Sequence, residues 1–253
     1  MDMTTPQEYT EYRPNPLLAS LIACYWSYRA PSRDRLTAQK PVIPDGCVDI
    51  IFDLNPASSL RCFVIGAMTK PIQNQKTNLL GVRFHTGMAT SLFKMPMHHL
   101  TDLTVDASEF LGDSAHALSD QLAEMAVQQD RTALLDGVFL KHMTGVSALE
   151  RPLTQALRLI RHADGQCSVQ QISDAVGWSR QHFTRRCLHG TGLSPKFLMR
   201  VMRLHKTITL HEKGNVHGWS HLSQEVGYFD QSHMIREFKR ITGLTPAEYL
   251  SPA

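Results

Sequence analysis

Apolar and polar residues alternate with a period of two in the first third of the chain, and the spacing becomes helical beyond about residue 90. In the first part, the pattern predicts a short helical start that runs into a strand over 17–28, and a β-branched strand over 48–52. Further strands are predicted over 60–68 and 78–85, separated by a polar, turn-like segment over 70–77. Several short strands linked by turns predict a small β-barrel or sandwich.

The helical spacing after residue 90 predicts two amphipathic helices, over 105–125 and 131–143. Such helices can pack against the β-structure of the same chain or pair across a dimer, and packing within the chain is the simpler expectation. The segment 145–151 is the best candidate for a domain boundary, because Pro152 then lies near the start of a new helix over 153–162.

The most informative stretch is 222–250, which predicts two short helices joined by a turn. Leu222 and Val226 share one face of the first helix, and Gly227 can adopt the positive φ that ends it. Asp230 is then placed to cap the second helix. This order of helix, turn, cap and helix predicts a helix-turn-helix unit.

The second helix of this unit has an apolar stripe and a polar, mostly basic face. An exposed face with amide, hydroxyl and guanidinium groups suits the major groove of DNA, where Gln can read adenine and Arg can read guanine. The polar residues are Gln231, Ser232, His233, Arg236, Lys239 and Arg240.

The same plan occurs about fifty residues earlier, over 172–198. In this comparison Gly177 matches Gly227 and Gln181 matches Gln231, after which one extra residue enters the second copy. The two units are predicted to span about 169–192 and 219–243, with a single linker helix over 195–212 between them. Two units in one chain can present two helices to one side of DNA.

At this point the sequence resembles the AraC/XylS family of bacterial transcription regulators. The resemblance covers about 153–250, and the run GYFDQSHMIREFKRITGLTPAEY in the second unit is close to the signature of that family. The departures are modest: Cys187 stands where a Phe is usual, and Ser173 and Ser223 replace a common Ala.

The resemblance implies an α+β protein. Its N-terminal part would be a small, cupin-like β-barrel that senses a signal and carries trailing helices, followed by an all-α domain of two helix-turn-helix units joined by a linker helix. It also implies RNA polymerase as a partner, a homodimer, and activation of transcription. The segments VIPDGCVDIIF and GVRFHTGM resemble an N-terminal domain that is often fused to such regulators.

Helix geometry and the resemblance together predict the residues that contact DNA. Arg185 and Gln181 are expected to read bases, and Arg236 to contact a base or a phosphate. In the second unit, the remaining candidates have an alternative role in holding phosphates or supporting the turn. The full set is Arg180, Gln181, Thr184 and Arg185, with Gln231, Ser232, His233 and Arg236.

The formal net charge of +3 hides an asymmetry between the two halves. Residues 1–149 contain 12 basic and 15 acidic side chains, whereas residues 150–253 contain 14 and 8. A basic C-terminal half beside a mildly acidic N-terminal half is typical of a nucleic-acid-binding module fused to another domain. We therefore predict domains over 1–149 and 150–253, and double-stranded DNA as a partner of the second.

Composition excludes several other classes of protein. The five cysteines are scattered and never in CxxC spacing, which predicts reduced, mostly buried thiols and no structural zinc. No stretch approaches twenty consecutive apolar residues, and the polar start lacks the layout of a signal peptide, so we expect a cytoplasmic protein without a membrane partner.

Candidate chemistry in the N-terminal half rests on two groups of residues. Asp45, Cys47 and Asp49 share one face of a predicted strand, and Arg83 and His85 share a face of another. In one interpretation, Arg83 pairs with an aspartate and Cys47 is a small core residue. In a second, the five residues line an effector pocket. In a third, a Cys beside carboxylates acts as a nucleophile or a metal ligand.

No cofactor, metal or catalytic residue is predicted. The pair His98-His99 lacks the HxH, Glu and later His of a cupin metal site, and a surface helix terminus is the expected place for it. The predicted function is sequence-specific transcription regulation, controlled by a small-molecule effector or a partner bound to the N-terminal domain.

Two other hypotheses stay open. The first is a metal- or thiol-dependent enzyme in the N-terminal β domain, with the C-terminal half as a DNA-targeting module. The second is a DNA-binding protein without an effector, in which the N-terminal half is an interaction platform.

Overall fold

The computed structural model describes residues 8–30, 40–112, 114–142, 149–214 and 218–251. The N-terminal half is built on one antiparallel sheet, and the strands predicted from the alternating pattern are confirmed. The strands are β1 Glu8–Tyr12, β2 Ile22–Arg29, β3 Asp49–Asp53, β4 Cys62–Ile65, β5 Asn78–Phe84 and β6 Thr104–Asp106. A single 3-10 turn, Pro16–Leu18, leads into β2 as the predicted helical start.

The strand order in the sheet is β1-β2-β5-β3-β4-β6. Because successive side chains point to opposite sides, each strand contributes to two different environments. One face carries Ile50, Phe52 and Leu80, which are fully buried in the main core. The other face carries Trp26 and Phe63, which belong to a smaller apolar cluster.

The predicted barrel is not closed among the described residues, where β1 and β6 form the two edges of the sheet. The helix predicted over 105–125 is also wrong at its start, since Val105 pairs with Val64 and β6 extends the sheet beside β4. The helical part begins later, as α2 Ser108–Leu111 and α3 Ser114–Glu124. A strand edge with unpaired backbone groups here outweighs the local helical spacing.

The remaining helices of this half cover the buried face of the sheet. They are α1 Ala89–Phe93 and α4 Gln128–His142, and α4 packs on the sheet through Phe139, whose ring lies 5.9 Å from that of Phe84. The Tyr25 hydroxyl donates to Asp136 Oδ1 at 2.8 Å and anchors α4 further. The expected packing of these helices within the chain is therefore confirmed.

The C-terminal half is all α-helical. The predicted linker helix, α8, runs over Pro195–Glu212, where Ser194 accepts a hydrogen bond from Phe197 N and Pro195 occupies the first turn. The other helices are α5 Arg151–His162, α6 Val169–Ala175, α7 Arg180–Thr191, α9 Trp219–Glu225, α10 Gln231–Thr242 and α11 Pro246–Leu250.

The two halves share one continuous hydrophobic core, which includes Phe84 from the sheet and Phe183 from α7. Two threonines of the N-terminal half also bind the C-terminal end of α7. Thr90 Oγ1 donates to the Gly190 carbonyl and Thr101 Oγ1 to the Gly192 carbonyl, both at 2.7 Å. The first helix-turn-helix unit is therefore docked on the N-terminal half.

The predicted boundary over 145–151 falls mostly outside the described residues, and the domain limits at 149 and 150 stay a prediction. Of the helices in the described ranges, none combines the length and the hydropathy that a membrane crossing needs.

Candidate functional site

The first candidate recognition helix, α7, turns a polar face to solvent. Ser179 caps it, since its Oγ accepts a hydrogen bond from His182 N at 3.2 Å. Phe183 and Cys187 are fully buried and fix the opposite side against the core. The four DNA-contact residues predicted on this helix are all exposed: Arg180, Gln181, Thr184 and Arg185.

The second candidate recognition helix, α10, is built in the same way. Asp230 caps it as predicted, with Oδ1 accepting from His233 N at 2.6 Å. Met234 and Phe238 are fully buried. Of the four predicted DNA contacts on this helix, Gln231, Ser232 and Arg236 are exposed and His233 is half-buried.

The structure corrects the register of the repeat. Both helices have twelve residues, and the cap follows the turn glycine after one residue in the first unit and after two in the second. The extra residue is therefore Phe229, in the turn, and not a residue within the helix. Arg180, rather than Gln181, is equivalent to Gln231. Phe229 is 90% exposed and is therefore not part of the core of the second unit.

The corrected register makes His182 and His233 equivalent. Each ring packs edge-to-face on the aromatic residue of its own turn, with ring centroids 4.7 Å apart for Trp178 and 5.5 Å apart for Tyr228. His182 Nδ1 also accepts from Arg185 Nη2 at 3.3 Å, which orients that guanidinium. This geometry favours the alternative role for His233, in which it supports the turn.

The ends of both recognition helices are fixed by the same set of hydrogen bonds. Thr191 Oγ1 donates to the Cys187 carbonyl at 2.8 Å, and Thr242 Oγ1 donates to the Phe238 carbonyl at 2.9 Å. In addition, Arg200 of the linker helix forms an ion pair with Glu237 of α10. Each polar face is therefore presented from a rigid support, which precise base recognition requires.

A second candidate site is a cavity of about 650 Å³ on the outer face of the sheet. This volume lies in the range of small-molecule pockets. We call it the Arg83 cavity. Its apolar and aromatic walls include Tyr9, Trp26, Tyr28, Ile51, Phe63, Ile65, Met68, Ile72 and Leu79.

The polar end of the cavity is organised by Arg83. Its Nη2 donates to Asp49 Oδ2 at 3.1 Å, and its Nε lies 3.3 Å from Asp45 Oδ2. The predicted pairing of Arg83 with an aspartate is thus confirmed. Burial raises the pKa of the Asp49 carboxyl to about 6 against the opposing effect of Arg83, and the nearby Asp45 adds to the rise.

The five residues proposed for an effector pocket are not all brought together. Asp45, Cys47, Asp49 and Arg83 line the cavity, whereas His85 lies beyond the end of β5 with Nε2 3.2 Å from the Ala19 carbonyl. Burial, with a contribution from Arg161, lowers the pKa of the His85 imidazole. The sequence suggested one group because alternate positions share a face, but the strand ends before His85.

The surroundings of Cys47 disfavour thiol chemistry. Burial raises the pKa of the Cys47 thiol well above its ordinary value, and Asp45 and Asp49 raise it further. Because the thiolate is the nucleophile, Cys47 is a poor one here. Among the described residues, no group of three or more His, Cys, Asp or Glu side chains is arranged to hold a metal ion. His98 and His99 are exposed in a 3-10 turn, as expected.

Sequence reasoning missed several cavity residues, chiefly Trp26, Phe63 and Lys76. The alternation in 22–29 places Trp26 and Tyr28 on one face, but their neighbours across the sheet depend on strand order. Lys76 lies in a segment predicted as a turn, and its Nζ reaches Asp53 Oδ2 at 2.6 Å. No local signal predicts that contact.

The two halves of the chain match two different protein families. Residues 10–106 match a family described as a domain of unknown function (DUF6597), and residues 172–251 match a family described as a helix-turn-helix domain. No curated protein matches the chain. The helix-turn-helix domain predicted from the repeat is confirmed.

Three solved structures are similar to this chain, all at low sequence identity. ToxT from Vibrio cholerae is 12% identical, with 97% of each chain covered and a TM-score of 0.44. The C-terminal domain of AraT, a response regulator from Geobacillus stearothermophilus, is 20% identical over 41% of this chain and 87% of that chain, with a TM-score of 0.38. The xylose-binding transcription activator xylR is 24% identical over 48% of this chain and 37% of that chain, with a TM-score of 0.34.

Proposed function

We propose that this chain, a DNA-binding transcription regulator of the AraC/XylS family, is controlled by a small molecule bound in the Arg83 cavity. The observation that carries the proposal is the position of one segment, residues 42–47. On one side this segment forms a wall of the cavity, through Asp45 and Cys47. On its other side it contacts the DNA-binding half.

The contacts to the DNA-binding half involve both the linker helix and the second unit. His205 Nε2 of α8 donates to the Pro44 carbonyl at 2.8 Å. The backbone at Gly46 packs closely against α8, since a Cβ at this position would lie 2.9 Å from Leu198 Cδ1. Ile43 packs against the cluster that contains Phe238 of α10. A ligand that displaces segment 42–47 would therefore change how α8 and α10 are held.

In this mechanism the two recognition helices read successive major-groove segments of a promoter. Gln181 and Arg185 read bases from α7, and Arg236 contacts a base or phosphate from α10. Each good bidentate base contact contributes about 1–3 kcal/mol of discrimination. The lysine and arginine at the end of α10, Lys239 and Arg240, are exposed and suited to phosphate contacts, which add affinity without sequence preference.

Selection of bound sequences from a random DNA pool tests the DNA-binding part. The wild-type protein is compared with Arg185→Ala and Arg236→Ala, and Arg158→Ala, which removes an exposed arginine from α5, is the control. We expect a wild-type motif spanning two groove segments, relaxed in a different part by each recognition-helix variant and unchanged by the control. If no motif emerges and the DNA affinity only falls as the salt concentration rises, the proposal of sequence-specific DNA recognition is wrong.

A cavity-filling substitution tests control through the cavity. Leu60→Trp places an indole in the cavity wall, and Leu103→Trp, at an exposed position outside the cavity, is the matched control. Since allosteric coupling is typically 5- to 150-fold, we expect Leu60→Trp to change the affinity for the selected DNA about fivefold or more. Equal affinities for both variants and the wild type would favour a regulator whose N-terminal half is only an interaction platform.

The family resemblance adds two partners to the proposal, namely RNA polymerase at the promoter and a second copy of the chain. Analytical ultracentrifugation with and without the selected DNA measures the oligomeric state, and transcription in a purified system measures the effect on polymerase.

A further inference from the structure

At the polar end of the Arg83 cavity, carboxylates outnumber the one guanidinium. Two carboxylates of the lining, Asp49 and Asp45, lie 3.1 Å and 3.3 Å from Arg83, and Glu11, which is outside the lining, lies 3.9 Å from it. Arg83 Nη1 also donates to the Tyr9 hydroxyl at 3.2 Å. Each of the three guanidinium nitrogens of Arg83 thus already donates to a partner within the protein, while a surplus of negative charge remains around it.

An aromatic wall stands directly beside these carboxylates. Trp26 Nε1 donates to Asp49 Oδ2 at 3.0 Å, so the indole adjoins the carboxylate. The ring lies across Gly81, where a Cβ would come within 2.0 Å of it, and it contacts the Tyr9 ring at a centroid distance of 6.0 Å. An aromatic surface next to carboxylates is the environment that binds organic ammonium groups.

The opposite end of the cavity has little unpaired positive charge that could bind an anion. Lys76 Nζ is held by Asp53 at 2.6 Å and by Ser58 Oγ at 2.9 Å, and it lies 5.2 Å from the centre of the Phe63 ring. Its charge is therefore neutralised by a buried partner. Lys40 also lines the cavity, but it is exposed, so solvent and salt weaken its attraction for an anion.

We propose that the ligand of the Arg83 cavity is an organic cation: a protonated amine on an aromatic or branched aliphatic body. The ammonium group lies against Asp45 and Asp49, and the body lies along Trp26, Ile51 and Phe63. This inference rests on the proposed function, because it names the class of molecule that the cavity takes. It excludes a carboxylic acid of the same shape, since a carboxylate would meet the three acidic groups around Arg83.

The test uses matched probes on the full chain. Three bodies (indole, phenyl and isobutyl) each carry an ethyl-linked amine, acid or alcohol, and binding is measured by calorimetry and by the shift in Tm. We expect at least one amine to bind about tenfold or more tighter than its acid and alcohol partners, as a charge-assisted contact predicts. Acids that bind as tightly as the amines, or the absence of amine binding in all three series at millimolar concentration, overturn the proposal.

Two variants locate the bound amine. Asp49→Asn removes a charge of the pair with Arg83, and Asp45→Asn removes another while keeping an oxygen that accepts from Cys47 N, now at 2.8 Å. We expect either variant to weaken amine binding about tenfold and leave the alcohol unaffected. Asp106→Asn, outside the cavity, is the control. Equal loss for the amine and the alcohol would show a structural effect only and would count against the proposal.

Measuring DNA affinity with each probe separates this inference from the proposed function. If an acid binds and changes DNA affinity, effector control stands and the cation class is wrong. If an amine binds in the cavity without any change in DNA affinity, the cation class stands and effector control is wrong.

Discussion

Two threonine hydroxyls help to dock the first candidate recognition helix on the N-terminal half, and removing them should destabilise the whole protein. Thr90→Val and Thr101→Val replace a hydroxyl by a methyl group of similar size. The Gly190 and Gly192 carbonyls, which now accept hydrogen bonds at 2.7 Å, would each face a methyl group instead. Both glycines are buried, so water cannot readily replace the lost donors.

The expected loss follows from the cost of leaving a buried carbonyl unsatisfied. That cost is about 1–3 kcal/mol for one group, and both threonines are themselves half-buried, so we expect about 2–4 kcal/mol for the double variant. The free energy of unfolding of a native protein is about 5–15 kcal/mol, so the double variant would lose a large part of its stability. Because one hydrophobic core joins the two halves, the loss should appear in a single unfolding transition.

Urea unfolding of the full chain measures this effect. Thr132→Val is the matched control, because the Thr132 hydroxyl donates to the Gln129 carbonyl within its own helix at 2.9 Å and bridges no interface. A double variant whose free energy of unfolding lies within about 0.5 kcal/mol of the control would refute the reasoning, since surface substitutions already vary by that much. The two halves would then be held by the apolar contacts without help from the threonines.

Three further predictions concern single side chains. Asp230→Ala should lower the free energy of unfolding in urea by about 1 kcal/mol, because the α10 cap is lost, while Asp230→Asn should not. An equal loss in both variants would contradict the capping role. Cys47 should react slowly with iodoacetamide at pH 7.5, since burial raises the pKa of its thiol. Mass spectrometry of the labelled peptide measures the rate, and labelling as fast as in the urea-unfolded chain would contradict the prediction. The affinity for an amine probe should be full above the Asp49 pKa of about 6 and fall as the pH drops through it, because protonation removes the negative charge that the ammonium group contacts. Calorimetry that gives one affinity from pH 5 to pH 8 would rule out this role of Asp49.

The helical half of the protein could be predicted closely because its signals are local. The linker helix begins after Ser194 at Pro195 and ends at Glu212, as its apolar stripe indicated. Asp230 was expected to cap α10 and does so. Caps, turn glycines and the spacing of apolar residues act over a few positions, so a single sequence carries them in full.

The sheet and the repeat register were harder to predict. β6 pairs with β4, a strand that is remote from it in the sequence, and the spacing around Val105 indicates a helix until Val64 is placed beside it. The extra residue of the second unit was expected after the start of the helix, yet it is Phe229 in the turn, where an exposed side chain meets no constraint from the core. Local sequence patterns do not show which distant residue will lie beside a given position, and that contact decides between strand and helix or fixes the register.

The sequence by itself determined that the chain carries two helix-turn-helix units and which side chains their exposed faces present. Periodicity and capping decide these features, and both depend on residues only three or four positions apart. The tertiary structure decided that Asp45 and Asp49 meet Arg83 in a cavity with Trp26, that His85 lies elsewhere, and that segment 42–47 touches both this cavity and the DNA-binding half. These contacts join residues from different strands and helices, and only the packing of the whole chain fixes which of them become neighbours.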